Sequence, residues 1–137
     1  MEKLSSILLI DDDKTTNFLN RLLLEGLQVA DKILVAQNGQ EALSIIEQQC
    51  QEQGCPPLIL LDVNMPVMNG FEFLEAYEPL EYGAKESVVI VMLTTSLHPR
   101  DMARLQDLSI QGFLSKPLTK QMVQELLQEH FQRELPN

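Results

Sequence analysis

Two apolar runs in this chain end in acid. Ile7-Leu8-Leu9-Ile10 passes into Asp11-Asp12-Asp13, and Leu58-Ile59-Leu60-Leu61 stops at Asp62. Four large aliphatic residues closed by a carboxylate read as a strand buried on both faces, with the acid where the chain meets water. In an open parallel sheet the carboxyl ends of the strands are where ligands bind, so both runs deliver acids to one edge. Like charges brought together repel, and a cation relieves the repulsion. An all-oxygen set of this kind suits Mg²⁺, with Mn²⁺ as a substitute. Two more strand ends add donors: Val88 to Thr94 ends in a hydroxyl, and Gly112 to Ser115 is followed by Lys116-Pro117. A carboxylate not needed solely for metal can attack phosphorus and form an acyl phosphate. Thr94 and Lys116 would then donate to the phosphoryl oxygens as charge develops. The chemistry these residues suggest is metal-assisted phosphoryl transfer to an aspartate.

The elements that must position them alternate in type. Strand-like and helix-like periods follow one another five times, which predicts an α/β fold with a parallel sheet. Strands are expected at Ser6 to Asp11, Lys32 to Ala36, Leu58 to Asp62, Val88 to Thr94 and Gly112 to Ser115. The first helix runs from about Lys14 to Gly26, with Asp13 as N-cap and Phe18, Leu19, Leu22 and Leu23 on one face. The second follows the Asn38-Gly39 turn, buries Ala42, Leu43 and Ile46, and trails into the polar stretch Gln48 to Gln53. Asn69-Gly70 opens a third helix carrying Phe71, Phe73 and Leu74, and a fourth starts near Pro99. The fifth presents Met122, Val123, Leu126, Leu127 and Phe131 at helical spacing.

Composition narrows the possibilities. With 137 residues, 45% of them apolar, there is material for one core, and a single domain is expected over 1–137 (core about 6–131) with no output domain. A net charge of −10 with only ten Lys plus Arg argues against direct contact with nucleic acid or an anionic membrane. Three aspartates interrupt the N-terminal apolar run too early for a signal peptide or a spanning helix, so a cytoplasmic location is expected. Cys50 and Cys55 lack a second pair or a nearby histidine, and free thiols are expected. His98 reads as a loop residue and His130 as a cation near a helix end.

Four motifs stand in order at the strand ends: Ile7 to Asp13, Leu60-Leu61-Asp62-Val63-Asn64-Met65-Pro66-Val67-Met68-Asn69-Gly70, Met92-Leu93-Thr94-Thr95, and Gly112-Phe113-Leu114-Ser115-Lys116-Pro117. Together they resemble the receiver domain of response regulators in two-component phosphorelay signal transduction, from Ile7 to about Phe131. The resemblance implies a flavodoxin-like, doubly wound, five-stranded parallel sheet of order 2-1-3-4-5 with five helices. It implies Asp62 as phosphoacceptor, Asp12 as a direct Mg²⁺ ligand, Asp11 acting through a metal-bound water, and Asn64 offering its backbone carbonyl. Thr94 would be the switch hydroxyl, Lys116 the phosphoryl-binding cation, Phe113 the aromatic that follows Thr94, and Lys116-Pro117 a cis peptide. Three features depart from the pattern: Thr95 is bulkier than usual, Phe113 carries no hydroxyl, and Glu78 to Lys85 lengthens the connection before the fourth strand.

The function so implied is a phosphorylation switch. A sensor histidine kinase or a histidine phosphotransfer protein would donate to Asp62, and the face made by the fourth predicted helix, the fifth strand and the fifth helix would change its preference for a downstream protein. The chain would act as a signalling protein, catalysing at most its own phosphorylation and dephosphorylation. The alternatives are a relay intermediate passing phosphate to a histidine phosphotransfer protein, and a metal-dependent phosphohydrolase with an aspartyl nucleophile. The latter would need an acid two residues after Asp62, where this chain has Asn64. A flavin mononucleotide carrier would put its phosphate beside Asp11, Asp12 and Asp13, against their charge.

Overall fold

In the computed structural model, residues 3–52, 54–62, 68, 70–77, 79, 88–94, 110 and 112–131 are described. The strands are β1 (Leu4–Ile10), β2 (Ala30–Ala36), β3 (Leu58–Asp62), β4 (Val89–Thr94) and β5 (Gly112–Ser115). They form one parallel sheet of order β2-β1-β3-β4-β5. The helices are α1 (Lys14–Leu27), α2 (Gly39–Glu52), α3 (Gly70–Tyr77) and α4 (Lys120–Phe131). The helix expected near Pro99 and the Glu78 to Lys85 segment, Pro79 apart, lie outside the described residues.

Alternation along each strand divides the core in two. Leu8 and Ile10 of β1, Ile59 and Leu61 of β3, and Ile90 and Met92 of β4 face one side, packed with Ile46, Phe71, Phe73 and Leu74 of α2 and α3. Ile7 and Leu9, Leu58 and Leu60, and Val91 and Leu93 face the other, packed with Leu24 of α1 and Val123, Leu126 and Leu127 of α4. A strand covered on both faces has no polar position to spare, which is why its sequence reads as an unbroken apolar run. Register fixes where the runs end: Ile10 pairs with Leu61, Asp62 with Leu93, and Thr94 with Ser115. Asp11 therefore leaves β1 level with Asp62, and Lys116 follows one residue beyond the Thr94 and Ser115 pair.

Local chemistry sets the helix starts. Asp13 caps α1, its carboxylate accepting from the N–H groups of Thr15 (2.9 Å) and Thr16 (3.4 Å). Asn38 caps α2 by accepting from the Glu41 N–H at 2.8 Å, and Gly39 is the first residue of that helix. Gly39 also donates its N–H to the Met68 carbonyl at 3.2 Å, and a Cβ there would lie 2.7 Å from Met68 Cγ. That close approach holds Met68, six residues beyond Asp62, against the start of α2.

Three expectations are corrected. Helix α1 passes through Gly26 and ends at Leu27, with Gln28 in the left-handed region (φ 56) as its C-cap. Its buried residues are Asn17, Asn20 and Leu24, while Phe18, Leu19 and Leu22 are 59%, 57% and 52% exposed. Phe18, Leu19, Leu22, Leu23, Leu24 and Leu27 cover most of the helix circumference, leaving only the flank of Lys14, Arg21 and Glu25, so periodicity alone does not select the inward face. The cysteines are not free thiols: Cys50 in the last turn of α2 is disulfide-bonded to Cys55. Between them Gly54 adopts φ +95, a conformation open to glycine, and returns the chain over the helix end. Closing so short a loop stabilises by about 2 kcal/mol through the unfolded state. We predict that reduction and alkylation lower the unfolding free energy by about that amount in a denaturant titration. An unchanged midpoint would remove the disulfide from the stability account.

Candidate functional site

Asp11, Asp12 and Asp62 converge where β1 and β3 end. One carboxylate oxygen from each lies within 4.8 Å of the others. Asp11 and Asp62 are buried and Asp12 is exposed, so the cluster is open on one side. Lys116, just past β5, reaches across the strand ends. Its Nζ stands 2.7 Å from Asp11 Oδ2 and 3.1 Å from Asp62 Oδ1. These side chains are 17%, 6% and 9% exposed, so water screens the contacts weakly. The Lys116-Pro117 peptide is cis.

Asp11 is held at every polar atom. Its backbone N–H donates to the Ala36 carbonyl at 3.1 Å and its carbonyl accepts from Asn17 Nδ2 at 2.7 Å. Its Oδ1 accepts from the Asp13 N–H at 2.9 Å, and its Oδ2 from Lys116. Asp13 thus serves the turn and the cap rather than the cluster, and the two helix N–H groups at Thr16 and Thr15 hold its carboxyl below the ordinary range.

Protonation shows how the charges balance. Burial pushes the Asp62 carboxyl above its ordinary pKa, the Asp11 charge pushes it further, and the hydrogen bond and charge of Lys116 only partly reverse this. Burial also acts to strip the Lys116 ammonium, but its hydrogen bonds to Asp11 and Asp62 and their charges prevail and raise it. Even with one ammonium in place, the site carries more negative charge than it comfortably holds. A divalent cation with oxygen ligands fits this donor set: three carboxylates, two of them buried, one open side, and a lysine already recruited as counter-charge.

Of the residues singled out from sequence, the structure brings together Asp11, Asp12, Asp62 and Lys116. Thr94 ends β4 and Phe113 lies in β5, but their side chains are outside what is described. Asn64, Thr95 and His98 fall outside the described residues, and His130 sits in the last turn of α4. Asn17 was missed. Its signal was a pair of amides, Asn17 and Asn20, three apart in a leucine-rich helix that starts from the acids.

Comparison with known proteins gives a consistent answer. Residues 7–128 match the family described as "Response regulator receiver domain". The chain is 33% identical to a hybrid signal transduction histidine kinase B of Dictyostelium discoideum over 94% of its own length, but spans only 7% of that protein. It is 27% identical to the chemotaxis protein CheY of Halobacterium salinarum, covering 90% of this chain and 93% of that one. A crystal structure of a two-component response regulator from Cytophaga hutchinsonii superposes with a TM-score of 0.84 at 29% identity, covering 96% of this chain and all of that one. Among the described residues no helix is long and apolar enough to cross a membrane.

Proposed function

Because this chain belongs to the response regulator receiver family, whose members act as switches in two-component signalling, we propose that Asp62 is its phosphoacceptor. The donor is a phosphohistidine on a sensor histidine kinase or a histidine phosphotransfer protein. An Asp62 carboxylate oxygen attacks phosphorus, the P–N bond breaks, and its electron pair returns to the imidazole. A bound Mg²⁺, held by Asp11, Asp12 and Asp62 with the Asn64 carbonyl, would neutralise charge between the acids and the phosphoryl oxygens. Lys116 leaves its carboxylate partners to hold a phosphoryl oxygen, and Thr94 donates to another. The product adds about −1.5 to −2 charges, and Thr94, Phe113, β5 and α4 convert that into a changed binding face for a downstream protein.

The observation that carries this reading is the Lys116 ammonium spanning Asp11 and Asp62 beside a third carboxylate. Intact-mass spectrometry after incubation with acetyl phosphate tests it. A single alkali-labile phosphoryl adduct that forms with Mg²⁺ and not with a chelator is expected. An adduct that ignores Mg²⁺ would remove the metal from the reading.

The exposed face of α1 bears on how a donor arrives. The helix begins directly after the acids, and its Phe18, Leu19 and Leu22 are the exposed large apolar residues among those described. A protein presenting a phosphohistidine to Asp62 meets this face, where apolar contact would bury it. We expect Leu22→Glu to change stability by no more than about 0.5 kcal/mol and to leave labelling by acetyl phosphate intact. Transfer from a phosphorylated histidine phosphotransfer protein should fall by about 10-fold, a loss of about 1.4 kcal/mol. Equal transfer from both donors would dismiss the face as a docking surface.

A further inference from the structure

We propose that Asn17 is a positioning residue for cation binding, acting through the Asp11–Asp12 peptide plane; this rests on the receiver reading above. Asn17 sits on the sheet-facing side of α1, only 3% exposed, where an apolar residue would pack. Its Nδ2 donates to the Asp11 carbonyl at 2.7 Å, while its Oδ1 is buried with no hydrogen-bond partner. A buried amide with one end unsatisfied costs stability. Its one hydrogen bond runs to the turn that carries the acids.

What that bond controls follows from geometry. The Asp11 carbonyl belongs to the rigid peptide plane that also contains the Asp12 nitrogen. Anchoring its oxygen sets the ψ of Asp11 and orients the bond from which Asp12 springs. Asp11 does not need this anchor for its own carboxylate, which the Asp13 N–H and Lys116 already hold. Asp12 does, because its carboxylate is exposed and no hydrogen bond holds it among the described residues. Asn17 thereby holds the third acid in range of the other two before a cation arrives.

The test compares Asn17→Leu with Asn20→Leu, which removes the other buried amide of the same helix face. Mg²⁺ affinity is measured by calorimetry without any phosphodonor, and thermal unfolding is followed in chelator. Groups that orient metal ligands typically contribute 10- to 100-fold in affinity. Asn17→Leu should weaken Mg²⁺ binding by about 10-fold or more with no loss of metal-free stability. Asn20→Leu should leave the affinity unchanged. Unchanged affinity in Asn17→Leu, or an equal loss in both variants, overturns the proposal. If the unsubstituted chain binds no Mg²⁺, the receiver reading fails and the proposal falls with it, an outcome distinct from failure in the variant alone. Should Asn17→Leu not fold, Asn17→Ala is read by the same two criteria.

Discussion

Asp62→Asn is expected to abolish the phosphoryl adduct while making the metal-free chain more stable. Asparagine keeps the shape of the side chain but offers no carboxylate oxygen to attack phosphorus, so labelling should fall by at least about 100-fold, to the limit of detection. Stability moves the other way because burial and the Asp11 charge raise the Asp62 pKa despite Lys116. The native state then holds this proton more tightly than the unfolded chain does. Above the raised pKa both states are ionised and the native one bears the full cost. As pH falls through the raised value towards the ordinary 3.8 the cost is relieved, and below 3.8 nothing further changes. Asp62→Asn removes that acid-side gain and its neutral-pH cost together. Chemical denaturation in chelator at several pH values, beside intact-mass spectrometry, reads both effects. Labelling at the level of the parent chain would reject Asp62 as the acceptor.

Lys116→Met should be damaging in both respects. Losing one preorganised donor to a developing oxyanion costs about 10²- to 10³-fold in rate, and that loss is expected for acetyl phosphate labelling. Without the ammonium, Asp11 and Asp62 face each other buried and unpaired. Breaking such a pair costs about 3 kcal/mol, the lower end of the usual range, because the lysine is 17% exposed. The pH dependence carries a second signature. The native Lys116 pKa is raised, so its stabilisation is complete below the ordinary 10.5 and is lost as pH climbs through the raised value. The variant should lose that alkaline decline, measured as the slope of unfolding free energy against pH. If the slope is identical in variant and parent, the ion pairs do not stabilise the fold.

How much of this was legible follows from what kind of constraint each residue obeys. The strands and their acidic ends were plain because a strand buried on both faces must be apolar throughout, and Asp62 interrupts that rule visibly. The convergence of Asp11, Asp62 and Lys116 needed only parallel strands with aligned ends, which the register of Ile10 with Leu61 and Thr94 with Ser115 supplies. The phase of α1 was not legible, since a run carrying Phe18, Leu19, Leu22, Leu23 and Leu24 satisfies several inward faces equally. Asn17 was hidden for the same reason: its burial follows from that phase. The Cys50 to Cys55 bond escaped because two thiols five residues apart imply nothing until Gly54 turns the chain back over the helix end. What stayed hidden in each case was direction, which composition and spacing do not encode.

The Lys116 to Asp11 contact joins residues 105 apart in sequence. On a ribosome adding roughly 5–20 residues per second, Asp62 is made about 3 to 11 seconds before its lysine. During that interval the emerging chain has the strand ends that gather carboxylates and no ammonium to set among them. A chain stalled or clipped ahead of β5 would keep its acids without their partner, and it would repel itself at the strand ends that Lys116 otherwise bridges. The order of synthesis therefore leaves it to the end of the last strand to bring the ammonium that partly offsets the acids gathered by the four strands before it.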